Sequence, residues 1–141
     1  MSASPVITQG IVLENRPLSP STFLMVIDCP ELPEARPGQF VKIRTWDESN
    51  QGGSPFLDRP FSIHRLEGGR LSLLYRVVGP ATKIMSRAQV DSPVKVSGPL
   101  GWGTPTALKR NPLYLVGGGI GLAPMGMVLG QPGATAHLFY G

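Results

Sequence analysis

The sequence predicts a six-stranded antiparallel Greek-key β-barrel over residues 1–104, followed over residues 111–141 by the start of an α/β domain. Three observations carry this expectation. Short aliphatic and β-branched runs recur along most of the chain. They are separated by turn residues, with 18 glycines and 15 prolines dispersed rather than clustered in repeats. Past Asn111 the pattern changes to an apolar run, a glycine cluster, an apolar helix candidate and a second apolar run.

Val6–Glu14 and Thr22–Asp28 (TFLMVID) are the first two strand candidates, with a turn holding Pro17 and Pro20 between them. Pro30–Gly38 is a Pro-rich connection. Gln39–Thr45 (QFVKIRT) alternates apolar and polar side chains, as a half-buried strand does. Trp46–Leu57 is polar and glycine-bearing, hence a surface loop. Phe61–Leu66 and Leu71–Val78 are strands joined through Glu67, Gly68, Gly69 and Arg70, a favourable hairpin turn. Ala81–Ala88 (ATKIMSRA) is a short helix by the spacing of Ile84, Met85 and Ala88. Ser92–Ser97 returns to strand, and Gly98–Gly103 (GPLGWG) reads as a tight, irregular loop.

In the second segment, Pro112–Val116 (PLYLV) is a continuous apolar run, expected to be a strand buried on both faces. Glycines follow, then a helix beginning near Leu122 and running to Leu129. Gly130–Gly133 turns the chain, and Ala134–Tyr140 (ATAHLFY) is the last strand. One β–α–β unit has too few elements to bury its own sheet. The segment therefore reads as a shortened domain, whose open edge and sheet face favour a partner subunit or a homo-oligomer.

Composition narrows the function. The net charge of +4 is modest and its basic residues stand mostly singly, not in the stripe a nucleic-acid binder gathers. Cys29 is the only cysteine, which excludes an internal disulfide and a metal or iron–sulfur site built from several cysteines. No basic-then-apolar leader opens the chain, and no apolar stretch approaches the roughly 20 residues of a spanning helix. A cytoplasmic protein with no membrane contact is the expectation.

Three segments carry candidate chemistry. Gly117–Pro124 (GGGIGLAP) passes from strand to helix through glycines, which let a backbone approach a diphosphate, and Pro124 suits a first helical turn. Leu122 stands where the dinucleotide fingerprint has its third glycine, so a plain glycine turn is the competing explanation. Arg59–Ser62 (RPFS) offers a guanidinium for a phosphate, a proline that fixes the backbone, an aromatic face and a small hydroxyl. Tyr75–Thr82 (YRVVGPAT) ends a strand and starts a helix, where Thr82 and nearby amides make an anion site or, equally, a plain helix cap. His64 and His137 lack partners in sequence and read as structural or surface residues, and Cys29 as a small structural residue.

Taken together, Arg59-Pro60-Phe61-Ser62, Tyr75-Arg76, Gly79-x-x-Thr82, Gly98-Pro99-Leu100-Gly101 and Gly117-Gly118-Gly119-Ile120-Gly121 with Pro124 follow the order and spacing of the ferredoxin–NADP reductase superfamily. Within it, the RPFSI run, the GPLG loop and the triple glycine most resemble the electron-transfer subunits of dihydroorotate dehydrogenase. The resemblance implies an FAD-binding barrel followed by an NAD(P)-binding α/β domain, with NAD(P)H as co-substrate. It places Arg59 on the FAD pyrophosphate, and Phe61 and Ser62 beside the isoalloxazine ring. Ser62, near the N5 that exchanges hydride, becomes the catalytic candidate. Pro60 shapes that turn. Tyr75 and Arg76, with Leu74 beside them, are placed along the ribityl and adenosine parts. Gly79, Ala81 and Thr82 are placed on the phosphates, and Gly117, Gly118, Gly119, Gly121 and Pro124 toward the pyridine dinucleotide.

The resemblance also implies a catalytic dehydrogenase or iron–sulfur partner subunit and a place in electron transport such as pyrimidine biosynthesis. The relatives carry a cysteine cluster for a [2Fe–2S] centre, for which this chain has no ligands. Phe61 stands where many members have tyrosine, Ala81 where a glycine is common, and Trp102 where a small polar residue is frequent. The competing function is a non-catalytic flavin-binding or subunit-docking module left by a shortened nucleotide domain.

Overall fold

The computed structural model describes residues 4–45, 58–104, 112–133 and 135–141. The expected Trp46–Leu57 loop lies outside them. Seven antiparallel strands form one sheet: β1 (Val6–Pro17), β2 (Thr22–Asp28), β3 (Phe40–Thr45), β4 (Arg59–Ser62), β5 (Arg65–Glu67), β6 (Arg70–Arg76) and β7 (Pro93–Leu100). Their spatial order is β4-β3-β7-β1-β2-β6-β5. The two edge strands are therefore consecutive in sequence, with only Ile63 and His64 between them. Two residues span so little that the sheet must curl to bring its two ends near one another. The Ile63 amide donates to Gln39 O and the His64 amide to Ser72 O, tying the link to both sides.

The curl corrects the expected strand count. Phe61–Leu66 was expected as one strand, but the chain crosses there from the β3 side to the β6 side, giving two short strands and seven in all. The β7 strand is also longer than expected. Gly98, Pro99 and Leu100 continue it, pairing Val6 with Gly98 and Phe40 with Leu100, so only Gly101–Gly103 of the expected loop is irregular. A Cβ on Gly98 would stand 2.8 Å from Val41 Cγ1, and its absence lets β7 press against β3.

Alternation fills the interior. Met25 and Ile27 of β2, Val41 and Ile43 of β3, Leu71, Leu73 and Tyr75 of β6, and Val94 and Val96 of β7 point into one core with Ile63. The β5–β6 turn has Gly68 and Gly69 at φ 55° and 79°, the two positive values of a type I′ hairpin. A bulge in β1 between Val12 and Glu14 shifts the register against β2.

After β6, Pro80–Met85 forms α1, shorter than the expected Ala81–Ala88. The second segment contains a parallel pair, β8 (Leu113–Gly117) and β9 (Ala136–Tyr140). Between them a 3₁₀ turn at Gly119–Leu122 precedes α2 (Met125–Leu129). The helix thus starts later than the expected Leu122, and Pro124 is its N-cap rather than a first-turn residue. β8 was expected to be buried on both faces. Tyr114 and Val116 are instead 67% and 77% exposed, the alternation of a strand covered on one face.

Candidate functional site

β4 begins beside an ion cluster. Asp58 accepts from Arg44 Nε at 2.6 Å and Lys95 Nζ at 3.2 Å. Its burial works against ionisation, but the Lys95 and Arg44 hydrogen bonds outweigh that and hold the carboxyl below its usual range. The carboxylate adjoining Arg59 is thereby engaged elsewhere. Among the described residues Arg59 and Arg76 form no ion pair. Pro60 stands on an edge strand, the place where a sheet tolerates a residue that has no N–H to donate.

Phe61 packs edge-on against Tyr75, with ring centroids 5.9 Å apart, and Tyr75 stacks on Phe23 at 5.7 Å. The Tyr75 hydroxyl donates to Asn15 Oδ1 at 2.9 Å. Burial pushes that phenol above its ordinary range, the Asn15 bond opposing the shift, so it stays protonated. Tyr75 therefore offers the site its ring, while its hydroxyl is occupied behind the wall.

The Tyr75–Thr82 segment realises the capping alternative at its threonine. Thr82 Oγ1 accepts from the amides of Val78 at 2.9 Å and Gly79 at 3.2 Å and donates to Gly79 O. This is a capping arrangement from the third helical residue, and it leaves Thr82 8% exposed. Pro80 has no N–H to satisfy at the first helical position. Gly79 is extended, and a Cβ there would meet nothing within 4 Å.

These pieces surround one cleft of about 590 Å³, the size range of small-molecule sites. It is lined by Arg59, Pro60, Phe61 and Ser62, by Leu74, Tyr75 and Arg76, and by Gly79, Ala81 and Thr82, so the candidate segments Arg59–Ser62 and Tyr75–Thr82 meet at one place. Val78, Pro80, Ile120 and Ala123 complete the lining. It carries two guanidiniums and no carboxylate, a potential that favours an anionic ligand. An aromatic wall, an open glycine and two guanidiniums fit a ligand with a planar ring and phosphates.

Gly117, Gly118, Gly119, Gly121 and Pro124 do not line this cleft. Gly117 is buried, and a Cβ on it would lie 2.7 Å from Met125 Cε; it seats α2 against β8. Gly119 has φ 52° and opens the 3₁₀ turn that carries Ile120 and Ala123 to the cleft rim. Gly118, Gly119 and Gly121 are exposed. His64, read from sequence as structural, meets the Ala123 carbonyl through Nδ1 at 2.8 Å. Cys29 is fully buried, and burial raises its thiol pKa despite the opposing Leu32 backbone bond, which suits a packing role. Sequence reading missed Asn15 and Gly126. Asn15 sits in a stretch read as turn, and Gly126 within an apolar helix gave no sign of the ring pressed against it.

No helix among the described residues is long and apolar enough to cross a membrane, and among them no cluster of metal-ligating side chains occurs. No family model matches the chain. It is 41% identical over 92 residues to the electron-transfer subunit of dihydroorotate dehydrogenase B (NAD⁺) of Clostridium acetobutylicum, covering 65% of this chain and 35% of that protein. Against the subunit of the same name from Desulforamulus reducens the identity is 39% over 111 residues, 77% and 41% of the two chains. The chain spans less than half the length of these curated relatives.

Among solved structures, the ferredoxin–NADP⁺ reductase of Neisseria gonorrhoeae with bound FAD and NADP matches with a TM-score of 0.79 at 20% identity. The match covers 95% of this chain and 56% of that one. An NADH-dependent reduced ferredoxin–NADP oxidoreductase matches at 0.76 and 25%, covering 93% and 47%. The barrel sheet and the parallel pair thus share the ferredoxin reductase fold, and in sequence the chain is similar to dihydroorotate dehydrogenase electron-transfer subunits.

Proposed function

We propose that this chain binds FAD in the cleft between β4, β6 and α1 and serves as the flavin-holding part of an oxidoreductase moving electrons between NAD(P)H and a partner protein. One observation carries the reading: two sequence segments, Arg59–Ser62 and Tyr75–Thr82, each ambiguous alone, converge on one cleft with an aromatic wall, a bare glycine and two guanidiniums that form no ion pair among the described residues. The similarity to electron-transfer subunits supports the electron-transfer role, a catalytic dehydrogenase subunit as partner and a place in pyrimidine biosynthesis. When bound, the flavin supplies the hydride and single-electron chemistry, so the protein's work is placement.

In this reading Arg59 and Arg76 hold the anionic part of the ligand, and the chain's own backbone at Gly79–Thr82 comes close to its phosphates. Phe61 and Tyr75 wall the ring, and the Ser62 hydroxyl supplies a hydrogen bond at the reacting edge. Residues 1–104 form the FAD-binding domain, a six-stranded Greek-key barrel if β4 and β5 are counted as one bent strand. Residues 111–141 form the part of an NAD(P)-binding domain present here, with Gly117–Gly121 and Pro124 facing the pyridine dinucleotide. We place the protein in the cytoplasm.

The test is a visible absorption spectrum of the purified protein, taken without oxygen before and after NADH or NADPH. Oxidised-flavin bands that bleach on addition are expected of a working reductase. Bands that persist leave a flavin-holding or docking module, and a protein purified and reconstituted without any flavin band refutes the proposal.

A further inference from the structure

The bulge in β1 decides which way Asn15 faces. Val12 pairs with Ile27 and points into the core, so strict alternation would turn Asn15 outward. Leu13 is the extra residue: Glu14 pairs with Val26 and Asn15 with fully buried Met25, which brings Asn15 to the inner face. There its side-chain amide makes three hydrogen bonds. Nδ2 donates to Met85 O at 3.0 Å and to Ala88 O at 2.9 Å, and Oδ1 accepts from the Tyr75 hydroxyl at 2.9 Å. The amide orientation is fixed, because the two backbone carbonyls only accept.

We propose that Asn15 is a positioning residue for the cleft, joining its Tyr75 wall to its α1 wall from behind. α1 has six residues, too few to hold itself, and its first turn supplies Gly79–Thr82 to the lining while its far end hangs on Asn15. Thr82 secures the near end locally; Asn15 sets where the helix lies against the sheet. The inference rests on the flavin reading for the ligand's identity, while the placement of α1 can be measured without any ligand.

The test compares the chain with Asn15→Asp and Tyr75→Phe at a temperature where circular dichroism shows each folded. Asn15→Asp keeps an acceptor for Tyr75 but sets a carboxylate against the two carbonyls. Amide hydrogen exchange across α1 and Ser86–Ala88 is expected to quicken about tenfold, with β2 and β6 unchanged. FAD and ADP affinity, titrated separately, should fall about tenfold, riboflavin affinity less than about twofold, and acid should restore binding as the new carboxyl regains a donor. Parent-like exchange overturns the proposal, and so does fast exchange with parent-like FAD affinity, which leaves Asn15 a structural role alone. If the parent binds no flavin, the flavin reading falls and the exchange arm decides by itself: quickening confined to α1 upholds the positioning, its absence overturns it. Should Asn15→Asp not fold, Tyr75→Phe decides: loss of the anchor on Asn15 should quicken α1 exchange about threefold, and no change overturns the proposal.

Discussion

His64 Nδ1 donates to the carbonyl oxygen of Ala123 at 2.8 Å, joining the two-residue link between the end strands of the curled sheet to the turn that precedes α2. The carbonyl can only accept, so this ring nitrogen carries the proton. Gly126 lies directly above: a Cβ there would stand 2.5 Å from His64 Cε1, Nδ1 and backbone oxygen alike. The junction is thus a histidine clasped between a carbonyl and a bare glycine, and it holds Ala123 and Ile120 at the rim of the cleft.

Gly126→Ala should loosen this junction. Overpacking of this kind costs about 1–3 kcal/mol, read from urea unfolding. Adding His64→Ala should recover only part of that loss, because the obstructing carbonyl oxygen belongs to the backbone. Full recovery in the double variant would show that the ring alone sets the spacing.

Much of the site was legible because its parts are local. RPFS, YR and GPAT each announce a strand end or helix start, and such ends gather at one side of a curled sheet. What was not legible depends on contacts between distant segments. A bulge at Leu13 inverts the facing of Asn15, and nothing in VLENRP marks the extra residue. The crossing at Ile63–His64 is hidden inside Phe61–Leu66 (FSIHRL), where no glycine or proline marks a break, since each half satisfies a different neighbour. For Thr82 an anion site and a helix cap read equally well, and its bonds to Val78 and Gly79 are those of the cap. The Asn15 partner of the Tyr75 hydroxyl lies 60 residues away and leaves no mark in sequence spacing. PLYLV reads as doubly buried, but composition alone cannot say what covers Tyr114 and Val116.

The ion cluster at Asp58 should give stability an acid limb. Its folded-state pKa lies below the unfolded one, so the Arg44 and Lys95 contacts contribute fully above the ordinary carboxylate range. That contribution is lost as pH falls through the depressed value. Asp58→Asn should flatten this part of the curve, lowering stability at neutral pH and leaving it nearly unchanged in strong acid. Thermal midpoints of both proteins across the acid range check the sign, and parallel curves would remove the cluster from the account.

Gly79 separates folding from binding. Its backbone is extended, which any residue adopts, and its missing Cβ faces open space. Gly79→Ala should therefore change stability by less than about 0.5 kcal/mol. If a phosphate-bearing ligand approaches there, the added methyl should still weaken FAD binding about tenfold or more. Calorimetric titration beside a thermal melt checks both halves, and parent-like FAD affinity would move the ligand away from this end of the cleft.

Arg59 makes the sharpest demand on the proposed ligand. It lines the cleft with no ion pair among the described residues, since its neighbour Asp58 is held by Arg44 and Lys95. Arg59→Ala should thus leave the fold intact while FAD affinity falls, by about 10- to 100-fold for a charge-assisted contact to a phosphate. Arg59→Lys should recover only part of this, because an ammonium lacks the planar fork that grips two oxygens at once. Raising the salt concentration should weaken the parent more steeply than Arg59→Ala, an exposed guanidinium being screened within a Debye length of roughly 10 Å at 0.1 M. Equal salt slopes in parent and variant would mean that Arg59 meets solvent rather than phosphate, and the anionic half of the ligand would then fall to Arg76.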